Sequence, residues 1–121
     1  MATTRQRGSH WEQVAESFLN KRGLETLEKN FHTRFGEIDL VMLDGSTLVF
    51  AEVRYRKNDG HGSGADSVTR TKQRRIISAA GRFLQFHPGD RLRPCRFDVI
   101  SIGRKDGKTR LNWIRNAFEA S

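Results

Sequence analysis

The chain has 121 residues, with 22 Lys and Arg against 14 Asp and Glu for a formal charge of +8, and 36% of its residues are hydrophobic. That is one domain's worth of chain with apolar material for a single core, and so large a basic excess points to a polyanionic partner. Cys95 is the single cysteine, which excludes an intramolecular disulfide and a cysteine-based zinc site, and no apolar run reaches the length of a membrane span.

Residues Met1 to Gly8 are polar, carry Arg5 and Arg7, and lack the apolar centre of a signal peptide. They read as a mobile tail on a cytoplasmic domain covering residues 9–121. Ser9 opens a helical signal in which Trp11, Val14, Ala15, Phe18 and Leu19 recur at helical spacing until Gly23. Thr26 to His32 reads as a strand. Glu37 to Leu43 and Thr47 to Tyr55 read as stronger ones, joined through Asp44-Gly45 into an antiparallel hairpin. Lys57 to Ser67, with Gly60, Gly62 and Gly64, has no periodicity and reads as a flexible loop, in which Ser67 is placed to cap a second helix. That helix is expected from Val68 to Phe86, its face formed by Ile76, Ile77, Ala80, Phe83 and Leu84, and His87-Pro88-Gly89-Asp90 ends it. Cys95 to Ile102 and Thr109 to Trp113 are the last strands, around a turn at Lys105 to Gly107, and Ile114 to Phe118 is expected to pack back as a helical turn. The order α-β-β-β-α-β-β implies a single α/β domain, a mixed and mostly antiparallel sheet flanked by helices.

Acidic residues are disfavoured in strands, yet Asp39 lies among Ile38, Leu40 and Val41, and Glu52 among Phe50, Ala51 and Val53. The pleat puts Glu37 and Asp39 on one face of their strand, and Glu52 and Arg54 on one face of the next. A register that joins those faces makes Asp39 and Glu52 neighbouring oxygen ligands for Mg²⁺ or Mn²⁺, ions that activate water against a phosphodiester. The alternative is a buried ion pair in which Arg54 neutralises Glu52. Asp98, between Phe97 and Val99, is expected in a salt bridge with an arginine, and Trp11 and Trp113 in the core. His10, His32 and His87 have no metal-ligand spacing.

Between residues 54 and 75, Arg54, Arg56, Lys57, Arg70, Lys72, Arg74 and Arg75 stand against only Asp59 and Asp66. Converging around the carboxylates, these cations would hold a nucleic acid, most simply DNA, by its phosphates and without sequence preference, with the second helix's N-terminus adding to the field. A solvated basic face is the bland alternative. Gln73 falls on the buried side of the second helix's opening turn, where it either contacts the nucleic acid or a site water, or is simply solvated.

Gly36-Glu37-Ile38-Asp39-Leu40-Val41, the stretch from Leu48 through Glu52-Val53-Arg54-Tyr55-Arg56, Ser67-Val68 with Lys72, and Cys95-Arg96-Phe97-Asp98-Val99-Ile100 resemble the bacterial YraN family. Sequences of that family resemble archaeal Holliday-junction resolvases. Asp39 followed by Glu52-Val53-Arg54 is similar to the D…(D/E)-x-K signature of restriction-endonuclease-like nucleases. The resemblance implies that fold, Mg²⁺- or Mn²⁺-dependent cleavage of DNA, a weak homodimer, and a catalytic set of Asp39, Glu52, Arg54 and a glutamate from the first helix. Glu12, at the margin of the helix's apolar stripe, is the candidate for that glutamate, and Glu16 lies farther toward solvent. Ser9-His10-Trp11-Glu12 also reads as a capping box, in which Glu12 satisfies the helix's first amide. The chain departs from the signature at Arg54, where lysine is usual. Arginine keeps its charge and cannot accept a proton, so hydrolysis would depend on metal-bound hydroxide or on another group such as Lys72. A binding module that kept the scaffold and lost cleavage therefore stands beside the nuclease reading, as does an assembly protein whose basic face meets an acidic protein.

Overall fold

The computed structural model describes residues 4–56 and 68–120. Helix α1 (Thr4–Asn20) is followed by β1 (Glu25–His32), β2 (Glu37–Asp44), β3 (Thr47–Arg56), helix α2 (Arg70–Phe86), a 3-10 turn (Pro88–Asp90), β4 (Cys95–Lys105) and β5 (Lys108–Phe118). The strands form one sheet in the order β1-β2-β3-β4-β5. Neighbours run antiparallel except β3 and β4, which pair in parallel. A parallel pair needs a crossover, and the chain between them carries α2 to supply it.

The central strands are apolar almost without interruption because both of their faces are covered. From β3, Leu48 and Phe50 join the core that α2 closes with Ile76, Ala79, Ala80 and Phe83. The alternate residues Val49 and Ala51 join the opposite core, which α1 closes with Ala15 and Leu19. Phe83 is the hub of the first core, edge-on to Phe31 and Phe50 at 5.4 and 5.9 Å. The hairpin between β4 and β5 turns through Asp106 and Gly107, both at positive φ (52° and 73°), the geometry that matches the twist of a two-residue hairpin.

Three expectations are corrected. Helix α1 begins at Thr4 and not at Ser9, so 4–8 belong to the helix, and Ser9 cannot head a capping box. Arg5, Gln6 and Arg7 are good helix formers, and one interior glycine costs only about 1 kcal/mol against alanine. Residues 1–3 of the expected tail lie outside the described residues. Helix α2 begins at Arg70, capped by Thr69, whose side chain accepts the Lys72 N–H at 3.1 Å. The expected cap Ser67 and the glycine loop, including Lys57 and His61, lie outside the described residues. Lastly, Ile114 to Phe118 is no helical turn. It continues β5, with Ile114 opposite Val99 and Phe118 opposite Phe97.

The tie that keeps this last stretch extended is Asp98, 1% exposed on β4. Its carboxylate accepts from Arg96 Nε at 3.0 and 3.1 Å, Trp113 Nε1 at 2.9 Å and the Asn116 backbone N–H at 3.0 Å. Asn116 has φ 51° and lies in the register shift between β4 and β5, so a local kink is held by a side chain where ladder bonding lapses. The expected arginine partner of Asp98 is thus found, and Arg96 also reaches Asp44 at 2.9 Å.

Candidate active site

Strands β2 and β3 pair from Asp44↔Thr47 up to Leu40↔Ala51, where their ladder ends. Beyond that point β2 stays with β1 (Phe31↔Ile38, His32↔Glu37), while β3 stays with β4 (Glu52↔Val99 through Arg56↔Gly103). The sheet therefore splits at residues 39 and 52. A split leaves strand N–H groups without ladder partners, and they must be satisfied by something else. Asp39 does this: its Oδ2 accepts the Val53 N–H at 2.8 Å. An acid in an apolar strand thus lies at a junction where the ladder needs an acceptor.

The same placement brings Asp39 against Glu52, so the two carboxyls hydrogen-bond to one another. Glu52 is 3% exposed, and its Oε1 lies 2.8 Å from Lys72 Nζ on α2. Burial pushes the Asp39 carboxyl up to about 8, helped by the charge of Glu52 and the bond between the two acids; the Val53 N–H and the Lys72 charge act the other way. At neutral pH the pair accordingly keeps a proton between its oxygens.

Glu12 approaches from the other face. Trp11 stacks on Tyr55, ring centroids 4.3 Å apart, which pins α1 to the end of β3 and sets the next residue over the sheet's split end. The Glu12 carboxyl is raised by burial and by the Asp39 charge, with Glu37 adding and Asn30 and His32 opposing. Among the described residues, however, no three His, Cys, Asp or Glu side chains gather closely enough to hold a metal ion. Glu12 is a neighbour of the acid pair in this arrangement and not a third ligand. Glu16, farther along α1, ties the helix to β1 by accepting from Thr26 Oγ1 at 2.7 Å.

The cation on Glu52 is Lys72, not Arg54, so the alternative in which Arg54 neutralises Glu52 is replaced by a bond between β3 and α2. Arg54 follows Glu52 on the same strand face and is half-buried, as is Arg56 at the strand's end. Helix α2 divides its remaining polar residues between two flanks. Lys72 and Arg75 line a cleft with the Thr33–Glu37 segment, whereas Arg70, Gln73 and Arg74 line another with Phe118 and Glu119. Gln73 is half-buried and donates to the Val68 carbonyl at 3.0 Å, a bond that secures the helix's start. The basic residues expected to converge therefore surround the acids only in part.

One element went unread in the sequence: the turn between β1 and β2. Thr33 Oγ1 accepts the N–H groups of Phe35 and Gly36 at 3.1 and 3.0 Å, and the Thr33 N–H bonds the Gly36 carbonyl at 2.8 Å. Gly36 passes so near α2 that a Cβ there would lie 2.3 Å from the Arg75 carbonyl oxygen. The legible signal was a threonine three residues before a glycine at the head of a strand.

Fold and site together define a single-domain α/β protein with a carboxylate pair set where two central strands part and clasped by a helix lysine. Residues 11–102 match the Uncharacterised protein family UPF0102. The chain is 47% identical to a UPF0102 protein of Stutzerimonas stutzeri over 99% of its own length and 100% of the relative's. It is 46% identical to a UPF0102 protein of Nitrosococcus oceani (97% and 94%) and 46% identical to UPF0102 protein NE0719 of Nitrosomonas europaea (100% of both). The chain belongs to the UPF0102 family, in agreement with the resemblance to YraN sequences. Among the described residues, no helix is long and apolar enough to cross a membrane.

Proposed function

We propose that this protein is a cytoplasmic, nucleic-acid-binding phosphodiesterase that cleaves DNA with the help of Mg²⁺ or Mn²⁺. The observation that carries the reading is the pairing of Asp39 and Glu52 side by side, Glu52 buried and Asp39 partly exposed, at the split in the sheet. Two acids that must share a proton to coexist are an all-oxygen donor set that a hard divalent cation suits better than a proton does. Asp39 and Glu52 would hold the ion, and Glu12 would support it from α1. When bound, such an ion supplies an activated water and stabilises charge developing on a phosphodiester.

The chain's own residues do the rest. Lys72 orients Glu52 through its 2.8 Å contact, and the Val53 N–H fixes one Asp39 oxygen. Arg54, whose charge persists at any working pH, steadies a phosphate oxygen, and Lys72 and Arg75 line the cleft through which a backbone would run. Arg70 and Arg74 add phosphate affinity outside it, and Arg56 and Lys57 are assigned the same role from their charge. On the resemblance to resolvases, a weak homodimer would supply two such sites to two strands.

The second reading is a binding module without cleavage, and the Lys72–Glu52 ion pair is what favours it, because Glu52 already has a cation. A cleavage assay on linear, nicked and branched DNA with Mg²⁺ or Mn²⁺ separates the two. Wild-type cutting that disappears in Glu52→Gln supports the nuclease. Binding without cutting in every metal leaves the module. Absence of binding even at low salt removes both.

A further inference from the structure

Beside the acid pair, the turn Thr33–Gly36 forms one wall of the cleft whose opposite wall carries Lys72 and Arg75. At its tip, Phe35 is 59% exposed, one of two strongly exposed phenylalanines among the described residues, the other being Phe86 near the end of α2, away from this cleft. Covering a ring of this size with a ligand is favourable.

We propose that Phe35 is a stacking platform for an unpaired nucleobase, so that the preferred substrate is a nucleic acid with a single-stranded or splayed segment and not continuous duplex. This inference rests on the nucleic-acid reading above. Three observations carry it. First, the backbone that carries the ring is held in place: Thr33 Oγ1 receives both the Phe35 and Gly36 N–H groups and donates to the Gly36 carbonyl at 2.9 Å. The close approach of Gly36 to the Arg75 carbonyl then fixes the turn against α2. A platform needs this rigidity, because a mobile ring would have to be ordered by each base it met. Second, the ring shares its cleft with Lys72 and Arg75, and Arg34 lies 5.9 Å from its centroid. An aromatic face with cations around it combines base stacking with phosphate attraction, the pairing that single-strand sites use. Third, Lys72 both lines the cleft that holds Phe35 and bonds Glu52, which connects that cleft to the acid pair. In intact duplex the faces of the bases are covered by their neighbours, and an exposed ring has nothing to stack on.

The test measures fluorescence anisotropy of a labelled single-stranded oligonucleotide and a blunt duplex of the same sequence, in EDTA to prevent cleavage. Wild-type protein is compared with Phe35→Ala and Phe35→Tyr, and light scattering records the mass of each. Phe35→Ala is expected to weaken single-strand binding roughly tenfold and leave duplex binding unchanged, while Phe35→Tyr restores the wild-type value. Equal losses on both oligonucleotides, or no loss on either, overturn the platform. A fall in mass with unaltered single-strand binding also overturns it and makes the ring a contact between copies of the chain. Wild-type protein that binds neither oligonucleotide brings down the parent reading and this one together. A failure confined to the Phe35 variants brings down this one alone.

Discussion

Asp98 and Asp39 are both aspartates set into apolar strands, and the fold surrounds them in opposite ways. Asp98 is saturated: an arginine, an indole N–H and a backbone N–H use both of its oxygens, and nothing else is left for it to bind. Asp39 has one backbone donor, and burial, followed by the like charge of Glu52, pushes its carboxyl up to about 8. Burial alone does not separate a structural acid from a reactive one; how fully its oxygens are satisfied does. The saturated acid locks β5 onto β4. The crowded pair leaves capacity for a further cation.

That contrast can be broken at either end. The largest effect is expected for Asp98→Ala, which leaves the Arg96 Nε, Asn116 and Trp113 donors without their acceptor. Removing one partner of a buried pair costs about 3–5 kcal/mol, so chemical denaturation should show a loss of that size. Nucleic-acid binding by the molecules that remain folded should be unchanged. Lys72→Met is expected to cost less, about 1–3 kcal/mol, since it strips Glu52 of its charged partner but leaves an apolar stem against the sheet. Restoration of that loss in the double variant with Glu52→Gln, read from a double-mutant cycle, would show that the ion pair is its source.

At the crowded pair the sign reverses, and substitution should stabilise. The folded state holds a proton on Asp39 that the unfolded chain releases near 3.8. The stability this group contributes is therefore fully present below about 3.8 and is lost as pH rises through about 8. Asp39→Asn imitates the protonated form at every pH. Relative to wild type it should gain little at pH 4 and on the order of 1–2 kcal/mol at pH 8, because water reaching Asp39 screens part of the repulsion. Urea unfolding across that range checks the slope, and a variant less stable than wild type at pH 8 would mean that Asp39 is held as Asp98 is. The smallest effect is expected for Arg75→Ala, whose side chain is exposed: binding to nucleic acid should weaken evenly across sequences, and the slope of log affinity on log salt should fall by about 1.

Much of the scaffold is legible in the chain itself. Near-continuous apolar runs bounded by turn residues mark β2 and β3, helical spacing from Ile76 to Phe83 marks α2, and Asp106-Gly107 marks the last hairpin. These are short-range signals, in which each residue's neighbours determine its geometry. The ends of elements are harder, because Thr4 to Gly8 lack the apolar periodicity that marks the rest of α1, and Ile114 to Phe118 in β5 lack a strong local preference. The latter stretch is decided by a carboxylate on another strand.

The site divides along the same line. Local sequence was enough to mark Asp39 and Glu52 as acids out of place, and to put Glu52 and Arg54 on one strand face. It could not show that β2 and β3 part just there, that Lys72 and not Arg54 bonds Glu52, or that Arg70 and Arg74 turn toward a different cleft. Which residues carry charge into a strand is a property of the chain. Which oxygens end up sharing a proton depends on where the ladder stops and which helix flank is laid across it, and only packing between distant segments settles that.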